Sequence, residues 1–113
     1  MPVFTTYTVS AASTTNSAVS PWIPLDQFSH PFNVGFTCTK EGTGEVTYKV
    51  QHTMENVLGG VTPSAGTIFD HSDVSGATGN RDGNYAFPVA AVRLQVVSGS
   101  SDFVTIRLRQ AGL

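Results

Sequence analysis

Apolar residues recur at every second position over several short stretches, the period of a strand with one face turned to a core. Phe32, Val34, Phe36 and Cys38 form the clearest row, with Asn33, Gly35, Thr37 and Thr39 between them. Val46, Tyr48 and Val50 form a second row, continued by His52, against Glu45, Thr47, Lys49 and Gln51. The glycines of Glu41-Gly42-Thr43-Gly44 can supply the positive φ angles of a tight turn, so the pattern predicts a hairpin over 32–53. Further on, Val92, Leu94 and Val96 alternate with Arg93 and Gln95, while Val104, Ile106 and Leu108 alternate with Thr105, Arg107 and Arg109. With the Ser98–Asp102 tract as the turn, these predict a second hairpin over 89–109.

The remaining segments carry weaker patterns. Val3–Val9 alternates well enough for a first strand, and its threonines give it the weak inner face of an edge. Residues 10–20, SAASTTNSAVS, are polar and low in complexity and read as a loop or ordered arm. Pro21, Pro24 and Pro31 bracket Trp22, Ile23, Leu25 and Phe28, which predicts a kinked, extended segment with at most one short strand. Residues 55–66 and 72–84, rich in Gly, Ser, Asn and Asp, predict two long loops around a short strand at Thr67–His71. No 3.6-residue apolar period reaches helical length. The expected fold is all-β: a small antiparallel β-sandwich, jelly-roll-like, with seven to eight short strands and long loops. Residues 1–20 form its N-terminal strand and polar arm, and 21–113 a single domain.

Composition narrows the function classes. A chain of 113 residues fits one domain. Its charged fraction of 12% is about half the usual ~25%. Six Lys and Arg against eight Asp and Glu leave a net charge of -2, so the basic field of a nucleic-acid binder is missing. No apolar run approaches the ~20 residues that span a bilayer, so no membrane partner is expected. The N-terminus lacks the basic and unbroken apolar regions of a secretory signal, and export by that route is not expected. Cys38 is the single cysteine; it cannot form an internal disulfide, and its place in an inward row marks it as a small buried hydrophobe.

Candidate chemistry is sparse. His30, His52 and His71 with Asp70, Asp73 and Asp82 supply the residue types of a metal hydrolase. Their spacing does not pre-aim two ligands, however, and Asp70 and His71 fall on opposite faces of a strand. No G-x-S-x-G elbow marks a serine nucleophile. Asp73, Asn80, Asp82 and Asn84 could offer oxygens to calcium, but Arg81 intrudes, and Asp82-Gly83 reads as turn chemistry. No enzyme activity, cofactor or metal site is therefore expected. Partner contacts are expected instead at Val3, Phe4 and Tyr7, which could add a strand to a neighbouring sheet edge. Further contacts are expected at Trp22, at Asp73 and Arg81 in the second long loop, and at Arg107 and Arg109 on the polar face of the last strand.

The segments PWIPLDQFSHPFNVGFTCT, EVTYKVQHTMEN and DGNYAFPVAAVRLQVVSGSSDFVTIRLRQAG together resemble the head decoration, or cement, proteins of tailed bacteriophages. The resemblance covers most of the chain from Pro21 onward. It implies a β-sandwich subunit that binds the outside of the capsid and reinforces joints between major capsid subunits, without doing chemistry. Self-association as a dimer, or as a trimer, would add avidity on such a lattice. Localisation to the virion surface would follow, after assembly in the host cytoplasm. A carbohydrate- or host-surface-binding module, or a tail or head-completion subunit, is the alternative.

Overall fold

An alternating strand needs a second apolar face to cover its own, and the chain meets that need by stacking two antiparallel sheets. The computed structural model describes residues 3–10, 18–25, 33–42, 46–99 and 103–110. Its strands are β1 (Val3–Ser10), β2 (Ala18–Val19), β3 (Ile23–Pro24), β4 (Val34–Glu41), β5 (Val46–Thr53), β6 (Ile68–Ala77), β7 (Arg81–Tyr85), β8 (Ala91–Gly99) and β9 (Phe103–Gln110). One sheet has the order β1-β9-β4-β7, and the other has β2-β8-β5-β6 with β3 also on β8. If β2 and β3 are taken as one edge strand broken at Pro21, this is the eight-strand order of a jelly roll.

Ser20 carries the pairing across that break. Its backbone N–H donates to Leu94 O at 2.9 Å, and the Leu94 N–H donates to Ser20 Oγ at 2.9 Å. The hydroxyl thus replaces a ladder carbonyl where the chain turns away. β1 and β2, assigned from sequence to the N-terminal arm, pair with β9 and β8 respectively.

The inward rows are those the alternation marks. Val34, Phe36 and Cys38 of β4, Val46, Tyr48 and Val50 of β5, Val92, Leu94 and Val96 of β8, and Val104, Ile106 and Leu108 of β9 are all buried. Each side chain of this kind contributes about 1.5–3 kcal/mol of burial.

Both expected hairpins are corrected. β4 pairs with β7 and β9, whereas β5 pairs with β6 and β8, so the glycine turn after Glu41 leads from one sheet to the other. The step from β8 to β9 likewise changes sheets. In either arrangement the two flanking rows face the same core, so alternation alone does not separate a hairpin from an arch between sheets.

The loop expected over 72–84 is also corrected, for it is mostly strand. β6 conceals itself through irregular pairing: Gln51 lies opposite Asp70 and Lys49 opposite Ser75, so two steps on β5 match five on β6. Its buried residues, His71, Val74 and Ala77, consequently fall three apart rather than two. β7 conceals itself through Gly83, which faces inward beneath an aromatic ring and contributes no apolar residue to a row. Asp82 and Gly83 are paired with Thr37 and Phe36 and form no turn.

A Cβ built on Gly83 would lie 2.7 Å from Phe36 Cζ and 3.2 Å from His71 Cε1, so the ring of Phe36 occupies the space this residue leaves. Gly83→Ala is expected to lower unfolding free energy by about 1–3 kcal/mol through overpacking. Gly35, whose added Cβ meets nothing within 4 Å, serves as the control. Gly35→Ala should be neutral or stabilising by about 0.5 kcal/mol. Urea denaturation of the two variants beside the parent checks the contrast, and pairing Gly83→Ala with Phe36→Leu should recover part of the loss.

Candidate functional site

Tyr85, the last residue of β7, is fully buried and ties the two sheets together at one end of the sandwich. Its ring lies 5.0 Å from His52 of β5 and 4.9 Å from His71 of β6, edge to face with both. Phe36 of β4 closes the inner side, 5.1 Å from His71. Toward solvent the cluster continues into Phe69, stacked 6.1 Å from His52, and Phe87, 5.7 Å from Tyr85. Such edge-to-face pairs stabilise by about 0.5–1.5 kcal/mol beyond their area burial.

The Tyr85 hydroxyl, His52 Nδ1 and both ring nitrogens of His71 are engaged. Burial raises the Tyr85 pKa, which keeps its hydroxyl protonated, and that oxygen lies 2.9 Å from His52 Nδ1. His71 Nδ1 accepts the backbone N–H of Asp73 at 3.1 Å, leaving Nε2 to donate to Asn84 O at 3.0 Å. His71, one of the three histidines considered as metal ligands, thus holds two backbone segments together.

At the same end lies the β5–β6 connection, which carries two short 3₁₀ turns, Val57–Gly59 and Ala65–Thr67. Asn56 accepts the Gly59 N–H at the start of the first, and Ser64 and Thr67 bond reciprocally around the second. Of the eight exposed large apolar side chains among the described residues, five sit here or beside it: Met54, Leu58, Val61, Phe69 and Phe87. Phe69 and Phe87 give the aromatic cluster an apolar rim, and Met54, Leu58 and Val61 are exposed on the connection that follows β5.

A polar line crosses the outer face of the second sheet. The guanidinium of Arg93 stacks 4.6 Å from the Trp22 ring, and its Nε donates to Gln51 Oε1 at 2.8 Å. Gln51 Nε2 then donates to Asp70 Oδ1 at 3.0 Å, while Lys49 Nζ lies 3.3 Å from Asp70 Oδ2. Hydrogen bonding to Gln51 lowers the Asp70 pKa, against a smaller opposing effect of burial. Burial lowers that of Arg93.

The outer face of the first sheet is rich in threonine. Thr8 and Thr105 share a hydrogen bond at 2.9 Å, and Arg107 donates to Thr39 at 3.2 Å. Register aligns Thr6, Arg107, Thr37 and Asp82 across all four strands. Beside Gly35, Arg107 and Arg109 is an open depression of about 390 Å³. It presents cationic side chains with Asp82 opposite and Thr37 between.

The residues expected to make partner contacts do not converge on one place. Val3, Phe4 and Tyr7 lie in β1, opposite Gln110, Arg109 and Ile106; their side chains are outside the described set. Arg107 and Arg109 are exposed on the neighbouring strand. Trp22 is half-buried against Arg93 on the other sheet. Asp73 is exposed on β6, and Arg81 is exposed on β7 opposite Cys38. His30, Phe28 and Phe32 lie outside the described residues.

The calcium reading loses its shared loop: Asp73 belongs to β6, Asp82 and Asn84 belong to β7, and Asn80 Oδ1 accepts the Lys40 N–H at 2.8 Å. Among the described residues no three His, Cys, Asp or Glu side chains are placed to hold a metal. Cys38 is fully buried and its pKa is pushed up to about 12 by desolvation, which leaves no thiolate at neutral pH.

The apolar rim went unread in the sequence. Its signal was present in the pairs Phe69/His71 and Tyr85/Phe87, aromatic pairs of period two that run from a buried ring to an exposed one.

No family model matches the chain, and no curated protein is similar to it in sequence. Among solved structures, it is similar to a chain described under Bacillus endospore appendages that form a family of disulfide-linked pili. The TM-score is 0.43 and the identity 16%, over 100% of this chain and 88% of that one. A likeness at that TM-score carries no argument about function.

His52 makes the cluster sensitive to acid. Burial, reinforced by nearby His71, lowers its pKa from the ordinary 6.5. The unfolded chain therefore binds the proton more readily than the folded one, so the contribution of His52 is complete above pH 6.5 and declines as pH falls below it. Asp70, lowered from 3.8, acts in the same direction but only at more acid pH. Urea midpoints measured from pH 7.5 to 3 should fall in two stages. His52→Gln, which keeps an acceptor for Tyr85, should remove the upper stage and spare the lower.

Proposed function

We propose that this chain is a non-catalytic structural subunit of a bacteriophage virion, docking on the outer capsid surface and tying major capsid subunits together. The observation that carries the reading is a division of labour among the side chains. Groups able to do chemistry are occupied internally: His71 through both ring nitrogens, His52 with Tyr85, and Cys38 within the core. What remains outward is adhesive surface, with an apolar rim at one end and a threonine-rich sheet face. Low charge suits this role, because few ions need desolvation when the surface is covered. The capsid enters this reading from the pattern of segments that resembles phage decoration proteins, and the comparisons with known proteins neither add to it nor oppose it.

The glycan-binding alternative gains little from Trp22. Sugar stacking uses an open aromatic face, and the Trp22 ring is already stacked on Arg93.

Mixing the purified chain with undecorated capsids and imaging the product tests the proposal. Density at repeating lattice positions is the expected result, and bare capsids at saturating protein would refute it. The double variant Phe69→Ser/Phe87→Ser should weaken occupancy roughly tenfold or more, as loss of two aromatic anchors does at interfaces. Circular dichroism of that variant should still report the strand content of the parent.

A further inference from the structure

Four sheet edges are present among the described residues, and three of them carry features that discourage strand addition. The β2–β3 edge consists of two two-residue pieces with Pro21 and Pro24 among them. The β6 edge is irregular in register, carries Asp70 and Asp73, and kinks at Gly76, where φ is +82°. The β7 edge is five residues long and begins with Arg81 and Asp82. β1 has none of these defences. Its eight residues, VFTTYTVS, contain no charge, proline or glycine, and they pair one to one with β9 from Val3↔Gln110 to Ser10↔Phe103 without a bulge. A regular strand of that length leaves about half of its backbone N–H and C=O groups pointing away from β9, on a side where no other described strand pairs with it.

We infer that the β1 edge is the self-association site of this protein, where two copies pair antiparallel about a two-fold axis to make one continuous eight-stranded sheet. Its neutrality favours an identical partner: two like strands meet without repulsion, and no charge selects a different protein. The side-chain pattern agrees. Thr6 and Thr8 are exposed on the outer face, where Thr8 already bonds Thr105, and a two-fold pair extends this threonine ladder into the second copy. Even-numbered residues must face even-numbered ones, because side chains opposite each other in an antiparallel pair share a face. One strand edge is a small interface, so the dimer is weak in free solution and strengthens where a lattice holds two copies together. This deepens the assembly reading above, yet it is tested without a capsid and stands or falls separately.

The test combines sedimentation with amide hydrogen exchange on the intact chain. Sedimentation should show a monomer–dimer equilibrium that shifts with concentration up to roughly 1 mM, the effective range a tether or lattice supplies. Exchange should show alternate β1 amides open at low concentration and protected at high concentration. Thr6→Lys/Thr8→Lys places like charges opposite each other across the axis and should weaken the dimer roughly tenfold. Its urea midpoint should fall modestly, because Thr8 loses its bond to Thr105 and Thr6→Lys sets a cation opposite Arg107, while the amides of β4, β5 and β8 should stay protected. A chain that remains monomeric throughout overturns the inference. So does a dimer whose β1 amides stay open, or one indifferent to the two lysines.

Discussion

The structure depends on one constraint: every apolar row must meet a row from the opposite sheet. Val34, Phe36 and Cys38 on one side face Val46, Tyr48, Val50 and the β8 row on the other. Chain crossings between sheets serve this constraint, because each crossing places consecutive rows on opposite walls of the same core. At one end the walls are held at fixed separation by Tyr85, whose hydroxyl lies against His52 of the other sheet and whose ring is flanked by both histidines. Tyr48 acts similarly, reaching from the core to donate its hydroxyl proton to Gly79 O in the connection between β6 and β7. These aromatic groups serve as struts with a polar tip, and their burial keeps the phenols protonated.

The all-β class, the inward residues of β4, β5, β8 and β9, and the buried state of Cys38 were legible because alternation is a direct image of a half-buried strand. Connectivity between sheets was not. A three- or four-residue link satisfies a hairpin and an inter-sheet arch equally, and what separates them is which strand lies alongside, a non-local fact. β6 and β7 were unreadable for local reasons. In β6 irregular pairing stretches the spacing of His71, Val74 and Ala77 to three, and in β7 an inward glycine replaces an apolar residue. The missing side chain at Gly83 is compensated by the ring of Phe36, 47 positions earlier in the sequence. No window around residue 83 contains that information.

The candidate surfaces divide along similar lines. Charged and aromatic residues could be picked from sequence as partner contacts, but their grouping depended on register. Arg107 and Arg109 share a face with Thr6 and Thr37 because β9 lies between β1 and β4. Trp22 belongs to the opposite wall, where Arg93 covers it. The histidines illustrate the converse. Their residue type suggested chemistry, and packing turned His52 and His71 into cross-sheet connectors, the first committed through Nδ1 and the second through both ring nitrogens.

The position of Cys38 has a consequence for how the chain withstands its surroundings. A thiol sealed between two sheets, with ionisation deferred to about 12, offers oxidants neither access nor a reactive anion. The cysteine is therefore indifferent to whether its surroundings are reducing or oxidising for as long as the sandwich stays closed.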